Sequence, residues 1–222
     1  MRKEILANHC FYHVYNRGVD KRDIFIDKRD YFRFIRGLFE FNNSQPVRIR
    51  LEIPELEERQ PRELMVAILC FCLMPNHFHL ILEQLKENGV ANFMQKLGVG
   101  YTSYFNEKYE RSGVLFQGAY KVVQVETEQQ LLHLSRYVHI NPAELIVPDW
   151  KLEGIENWGK VNKFLENYRW SSYQDYIGKK NCPSLTDREL ISGYFAGPED
   201  YKKFINEWVI KDWKRMEDII LE

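Results

Sequence analysis

The hydrophobic positions of this chain change period from one stretch to the next, and the period assigns the elements. Over Met65–Leu73 and His77–Gln84 the apolar residues run almost unbroken and are rich in Val, Ile, Leu and Phe, which suits buried strands. Pro75-Asn76 between them has turn chemistry and predicts a hairpin. Phe11–Arg17 and Tyr120–Glu126 read as two further strands. Helices are predicted over Lys28–Phe41, Gly89–Tyr109 and Thr127–Ile140. In the second, Val90, Phe93, Met94, Leu97 and Tyr101 form a stripe with helical spacing, and in the third Leu131, Leu134 and Val138 do the same. Thr127 is placed to cap that third helix and Pro142 to stop it.

This order predicts an α+β domain: a ferredoxin-like antiparallel sheet with helices packed against it. Residues 42–63 are polar and contain proline, and read as an insertion or partner-contacting loop. After Pro142 an irregular stretch runs to Gly178, which gives a main domain over 1–178. A C-terminal helical extension over 179–222 follows, with a Thr186/Glu189 capping-box pattern, a Gly197-Pro198 break, and Phe204, Ile205, Trp208 and Val209 as the apolar face of a terminal helix. That helix is expected to pack on the main domain, with a homodimer or a DNA hairpin as the other uses of its face.

With 222 residues, 45% of them hydrophobic and 14% aromatic, the chain can bury a sizeable core. No apolar run is long enough to span a membrane, and MRKEILANHC lacks the apolar stretch of a signal peptide. The four cysteines, at 10, 70, 72 and 182, make no secreted disulfide framework, so a reducing cytoplasm is expected.

Candidate chemistry starts at His77 and His79. Residues i and i+2 of a strand share a face, so both imidazoles aim the same way and can grip one divalent ion. The plain alternative is a strand that happens to hold two histidines. On the third helix His133, Tyr137 and Asn141 fall at i, i+4 and i+8 and form one stripe. Laid against the histidine strand, that stripe brings an amide oxygen to complete a three-residue metal shell and a phenol toward whatever the ion binds. Its alternative is a tyrosine packed by its ring and an asparagine that caps a helix end. Tyr104 is a rival nucleophile without a ligand-type residue at i+4, while His9, His13 and His139 show no comparable arrangement. Cys70 and Cys72 share a strand face, and a two-residue turn sets Cys72 opposite His79, a competing zinc site sensitive to a one-residue change of register.

Four ordered motifs, FYHVYNRG (11–18), LMPNHFHLIL (73–82), GVLFQGAYK (113–121) and RYVHINP (136–142), together resemble the single-tyrosine HUH transposases, especially the REP-associated tyrosine transposases. With WSSY (170–173) the resemblance covers roughly residues 9–176. It implies an HUH nuclease fold in which His77, His79 and Asn141 match the metal ligands and Tyr137 the nucleophile. It also implies a metal-dependent enzyme that cleaves and rejoins single-stranded or hairpin DNA through a 5′-phosphotyrosine link, using Mg2+ or Mn2+. Two imidazoles and an amide favour manganese on ligand chemistry. One departure stands in FQGAYK, where Ala119 occupies a position expected to carry arginine, which puts one phosphate or base contact in doubt.

Net charge changes the picture least in favour of DNA, since the sum is −1. Its distribution is uneven: residues 1–36 hold nine Lys/Arg against five Asp/Glu, and residues 184–222 hold six against nine. Arg17, Lys21 and Arg22 after the first strand, and Lys121 and Arg136 nearer the site, are the candidate DNA contacts. The leading expectation is a DNA nickase and strand transferase. The alternatives are a domesticated hairpin-binding protein that no longer cuts, a replication initiator or relaxase-type nickase, and a phosphoesterase that uses water and leaves Tyr137 structural.

Overall fold

The computed structural model describes residues 6–46 and 62–211; most of the insertion expected at 42–63, and the side chain of Val209, lie outside the described residues. A hairpin forms one half of the sheet. Strands β2 (Val66–Met74) and β3 (His77–Gln84) flank Pro75-Asn76, and the two-residue turn sets Cys72 opposite His79 and Met74 opposite His77. Strand β1 (Phe11–Arg17) pairs with the far side of β3, with Tyr15 opposite His79 and Arg17 opposite His77, and strand β4 (Lys121–Val125) closes the other side of β1. The order β2-β3-β1-β4, antiparallel throughout, is the ferredoxin-like plan that the element order predicts.

Alternation of side chains sorts the sheet into two faces. Val14, Phe71, Leu73, Phe78, Leu80 and Leu82 point to the face covered by helices α1 (Lys28–Glu40) and α2 (Gly89–Lys108). Asp27 caps α1 by a capping box with Asp30, and the buried Asp30 carboxylate also accepts from Tyr104, Lys108 and Tyr109, tying the start of α1 to the end of α2. Tyr104, the rival nucleophile, is thus a structural donor on the face away from the histidines. Gly89 starts α2 because a Cβ there would lie 2.3 Å from the Met65 carbonyl oxygen.

Cys70, Cys72, Met74 and Ile81 point to the opposite face, with His77 and His79. Helix α3 (Glu128–Ile140) covers it through Leu131, Leu134 and Val138, the stripe read from the sequence, and opens on a Thr127–Gln130 capping box. The stretch expected to be irregular after Pro142 instead holds a 3-10 turn (Asn141–Leu145) and three short helices, α4 (Trp150–Glu153), α5 (Trp158–Leu165) and α6 (Tyr173–Tyr176). Such short segments bury one or two large residues each, Trp150 and Tyr173 among them, and are too brief to show a helical period in the sequence. Helices α7 (Glu189–Ser192) and α8 (Pro198–Lys211) follow. The Thr186/Glu189 capping box does not form: α7 starts only at Glu189, and the Thr186 hydroxyl accepts from Arg188 instead. Tyr201, Ile205 and Trp208 of α8 enter the same core as α3. A buried relay binds them: His139 Nδ1 lies 2.7 Å from Tyr201 Oη, Tyr201 donates to Ser135 Oγ (3.1 Å), and His139 Nε2 lies 2.8 Å from Ser172 Oγ.

Candidate active site

His77 opens β3 directly after the Asn76 turn, and His79 follows one pleat along, so the rings share the α3 face with centroids 5.0 Å apart and planes perpendicular. Both are buried, at 6% and 0% exposure. His77 Nδ1 lies 2.6 Å from Asn76 Oδ1, and His79 Nδ1 lies 3.0 Å from Nε2 of His13 on the neighbouring strand. Burial, with the Arg17 charge as a second cause, pushes His77 down to about 3, and burial takes His79 well below the ordinary histidine value. Both rings are therefore neutral near pH 7, the form in which imidazole binds a metal.

Helix α3 brings its C-terminal end against this pair. The Tyr137 ring stands edge-on to His79 at 5.4 Å between centroids and to His13 at 6.2 Å. Asn141 follows one turn later; its backbone N–H caps the helix on the Tyr137 carbonyl, and its side-chain Oδ1 lies 3.2 Å from His77 Nε2. The two readings of this helix therefore hold together: Tyr137 does pack by its ring, Asn141 does terminate the helix, and both face the histidines. Tyr137 is only 1% exposed, and Lys151 of α4 sets its ammonium 3.5 Å from the phenolic oxygen while pairing with Glu144 at 3.2 Å.

The donor set fits a divalent cation. A neutral His77 carries one N–H, and the 2.6 Å contact to Asn76 is the shorter place for it. His77 Nε2 and Asn141 Oδ1 then aim lone pairs at each other, an arrangement that a cation between them relieves. Turning the amide over to donate from Nδ2 removes that clash but takes its oxygen out of reach; Asn141 Nδ2 is buried with no hydrogen-bond partner among the described residues. Among the described residues no group of three His, Cys, Asp or Glu side chains could hold a metal ion, so an amide oxygen is needed to complete a site. The cysteine alternative fares worse. Cys72 does sit opposite His79, but burial pushes its thiol well up and Cys70 to about 12, which disfavours the thiolates that zinc binds.

Of the candidate DNA contacts, Arg17 and Lys121 line a pocket of about 270 Å³ with Tyr15, Asn16, Gln117 and Ala119 that opens beside His77. Lys21 and Arg22 lie just beyond, on a turn held to the hairpin by bonds from Asn76 Nδ2 to the Lys21 carbonyl and from Gly18 N–H to Asn76. Arg136 is not brought to the site. One residue along a helix is a turn of about 100°, and its guanidinium lies over the Phe204 ring of α8 at 3.4 Å. Two residues escape sequence reasoning: His13, whose contact depends on the β1–β3 register, and Lys151, which sits on a helix too short to signal itself.

Residues 44–141 match the family model described as "Transposase IS200 like". No curated protein matches the chain. Among solved structures, one described as the REP-associated tyrosine transposase bound to a REP hairpin is similar over 84% of this chain and 93% of its own, with 12% identity and a TM-score of 0.50. At that identity the likeness is one of fold, and it covers more of the chain than the family match does. His77, His79, Tyr137 and Asn141 all fall inside the segment that is similar to the IS200-like transposases.

Proposed function

We propose that this protein is a transposase that cuts and rejoins single-stranded DNA beside a hairpin, with Tyr137 as nucleophile. The observation that carries the reading is the convergence of His77, His79 and Asn141 on the face where the Tyr137 ring lies. The hairpin substrate is taken from the similar structure, whose own partner is a REP hairpin.

In the cutting step the Tyr137 oxygen bonds to phosphorus, the bond from phosphorus to the 3′-oxygen breaks, and the phenolic proton leaves as the departing 3′-oxygen gains one. A 5′-phosphotyrosine and a free 3′-hydroxyl remain, and attack by another 3′-hydroxyl on the link reverses the exchange without nucleotide hydrolysis. Mg2+ or Mn2+ held by His77, His79 and Asn141 would supply positive charge at a nonbridging phosphate oxygen. The protein's own share is positioning and charge. Lys151, next to the phenolic oxygen, supports the phenolate and can exchange Glu144 for a phosphate. Arg17 and Lys121 flank the path of the strand toward His77. Because Tyr137 is 1% exposed, the strand reaches it only when the covering segments, Lys151 among them, move aside.

That same burial favours a second reading, a hairpin-binding protein that does not cut. One experiment separates the two: hairpin-bearing oligonucleotides labelled at the 3′ end are incubated with Mn2+ and run on a denaturing gel. A protein–DNA band that disappears with EDTA and in His77→Ala supports cutting. Tight hairpin binding with no such band under Mg2+ or Mn2+ supports the binder. A cut strand that carries no protein points to water as the nucleophile.

A further inference from the structure

His13 belongs to none of the groups that the reading above uses, yet it makes a direct contact with one of them. It lies on β1, where Tyr15 is the residue opposite His79 and His13 stands opposite Ile81, so His13 reaches His79 along the diagonal of the sheet. The two rings lie edge to edge, with centroids 5.2 Å apart and planes 18° from parallel, and the Tyr15 ring lies 4.9 Å from His13 and 5.9 Å from His79. Nε2 of His13 and Nδ1 of His79 are 3.0 Å apart, and both side chains are buried. A contact of that length between two imidazoles holds one proton, and which ring owns it decides what His79 can do.

We propose that His13 is a positioning residue that accepts the Nδ1 proton of His79, holding that ring in the tautomer whose Nε2 lone pair is available to a cation. If the proton belonged to His13 instead, His79 would carry its own proton on Nε2, and that nitrogen could not bind a metal. A ligating imidazole that donates through its other nitrogen is fixed in both tautomer and ring orientation, and loss of such a partner typically weakens metal binding by about 10- to 100-fold. The acceptor here is an imidazole in place of a carboxylate or carbonyl, so it adds no negative charge beside the site. The inference rests on the metal reading of His79 given above.

The test has two independent readouts. In the metal-free protein labelled with 15N histidine, long-range 1H–15N correlation spectra assign the His79 proton to Nδ1 or Nε2. Separately, Mn2+ affinity is measured calorimetrically in the wild type, in His13→Gln, whose amide oxygen can accept the proton, and in His13→Leu, which cannot. The expected result is an Nδ1 proton in the wild type, a mixed or Nε2-protonated His79 in His13→Leu, and Mn2+ binding roughly 10- to 100-fold weaker in His13→Leu and largely restored in His13→Gln. A wild-type His79 protonated on Nε2 overturns the inference, as does a folded His13→Leu that binds Mn2+ as tightly as the wild type. If His13→Leu does not fold, the wild-type tautomer still decides. A wild type that binds no Mn2+ defeats the metal reading, and the spectra then judge the His13 contact on their own.

Discussion

Replacing Tyr137 by phenylalanine and by alanine separates its chemistry from its packing. The ring belongs to the core shared by β2, α3 and α8 and is 1% exposed, so Tyr137→Ala removes a full aromatic side chain from a packed interior. Such truncations cost about 3–5 kcal/mol, against about 5–15 kcal/mol for the stability of a whole domain. Lost activity in that variant says nothing about a nucleophile. Tyr137→Phe keeps every ring contact, including the edge-on approach to His79 at 5.4 Å, and deletes only the hydroxyl. Lys151 remains paired with Glu144 at 3.2 Å, so no ammonium is stranded by the change. The expected cost is that of one ordinary hydrogen bond, about 1 kcal/mol, or roughly 2–4 °C in Tm for a protein of this size. The assay combines thermal denaturation, hairpin affinity and the denaturing gel with 3′-labelled DNA. Tyr137→Phe is expected to melt within a few degrees of the wild type, bind the hairpin as well, and form no covalent band. A band of undiminished intensity in Tyr137→Phe would refute the nucleophile assignment.

Lys151→Gln is expected to slow adduct formation by roughly 10²-fold in single-turnover reactions while Lys151→Arg retains most of it; an unchanged rate in the Gln variant removes Lys151 from the chemistry. Asn141→Asp should enlarge the rise in Tm produced by Mn2+ and Asn141→Leu should abolish it, and equal rises in both would take Asn141 out of the ligand set. Acid should weaken the metal-free fold early. His13, His77 and His139 are each pushed by burial to about 3. The unfolded chain takes up protons below about pH 6.5 while the native rings stay neutral, so stability falls from there down toward the folded values, at about 2 kcal/mol per histidine between pH 7 and pH 5. Urea titrations at those two pH values check it, and an unchanged midpoint would contradict buried neutral rings. Arg17→Ala and Lys121→Ala should each lower the slope of log affinity against log salt for hairpin DNA by about 1, whereas Arg136→Ala should leave the slope alone and lower Tm, because Arg136 stacks on Phe204.

What the sequence made legible divides along the distance over which its signals act. The hairpin is local: Pro75-Asn76 and the alternation on either side set the register that places Cys72 opposite His79, and the structure keeps it. The capping of α3 by Thr127 and its end at Asn141 are local too, so Tyr137 and Asn141 come out one turn apart. Motifs in fixed order supplied the next step, that this helix lies on the histidine face. Arg136 shows the limit of proximity in sequence as a guide, since a one-residue step on a helix carries a side chain off the face on which its neighbour sits.

His13 and Lys151 were out of reach for a different reason. His13 meets His79 only through the pairing of β1 with β3, strands separated by all of α1 and β2, and by a diagonal offset that no spacing rule contains. Lys151 meets Tyr137 because the chain folds back after Pro142 through a 3-10 turn and a four-residue helix, elements with no period to read. The proposed nucleophile and metal ligands can thus be read from local pattern and motif, while the residues that contact them come from long-range pairing. The same division applies within the proposed metal site: His77 meets its partner, Asn76, in the adjacent turn, and His79 meets His13 from across the sheet. Removing the Asn76 side-chain oxygen should therefore act on His77, and removing the His13 ring on His79, so the two proposed ligands can be weakened separately and the effects on Mn2+ binding compared.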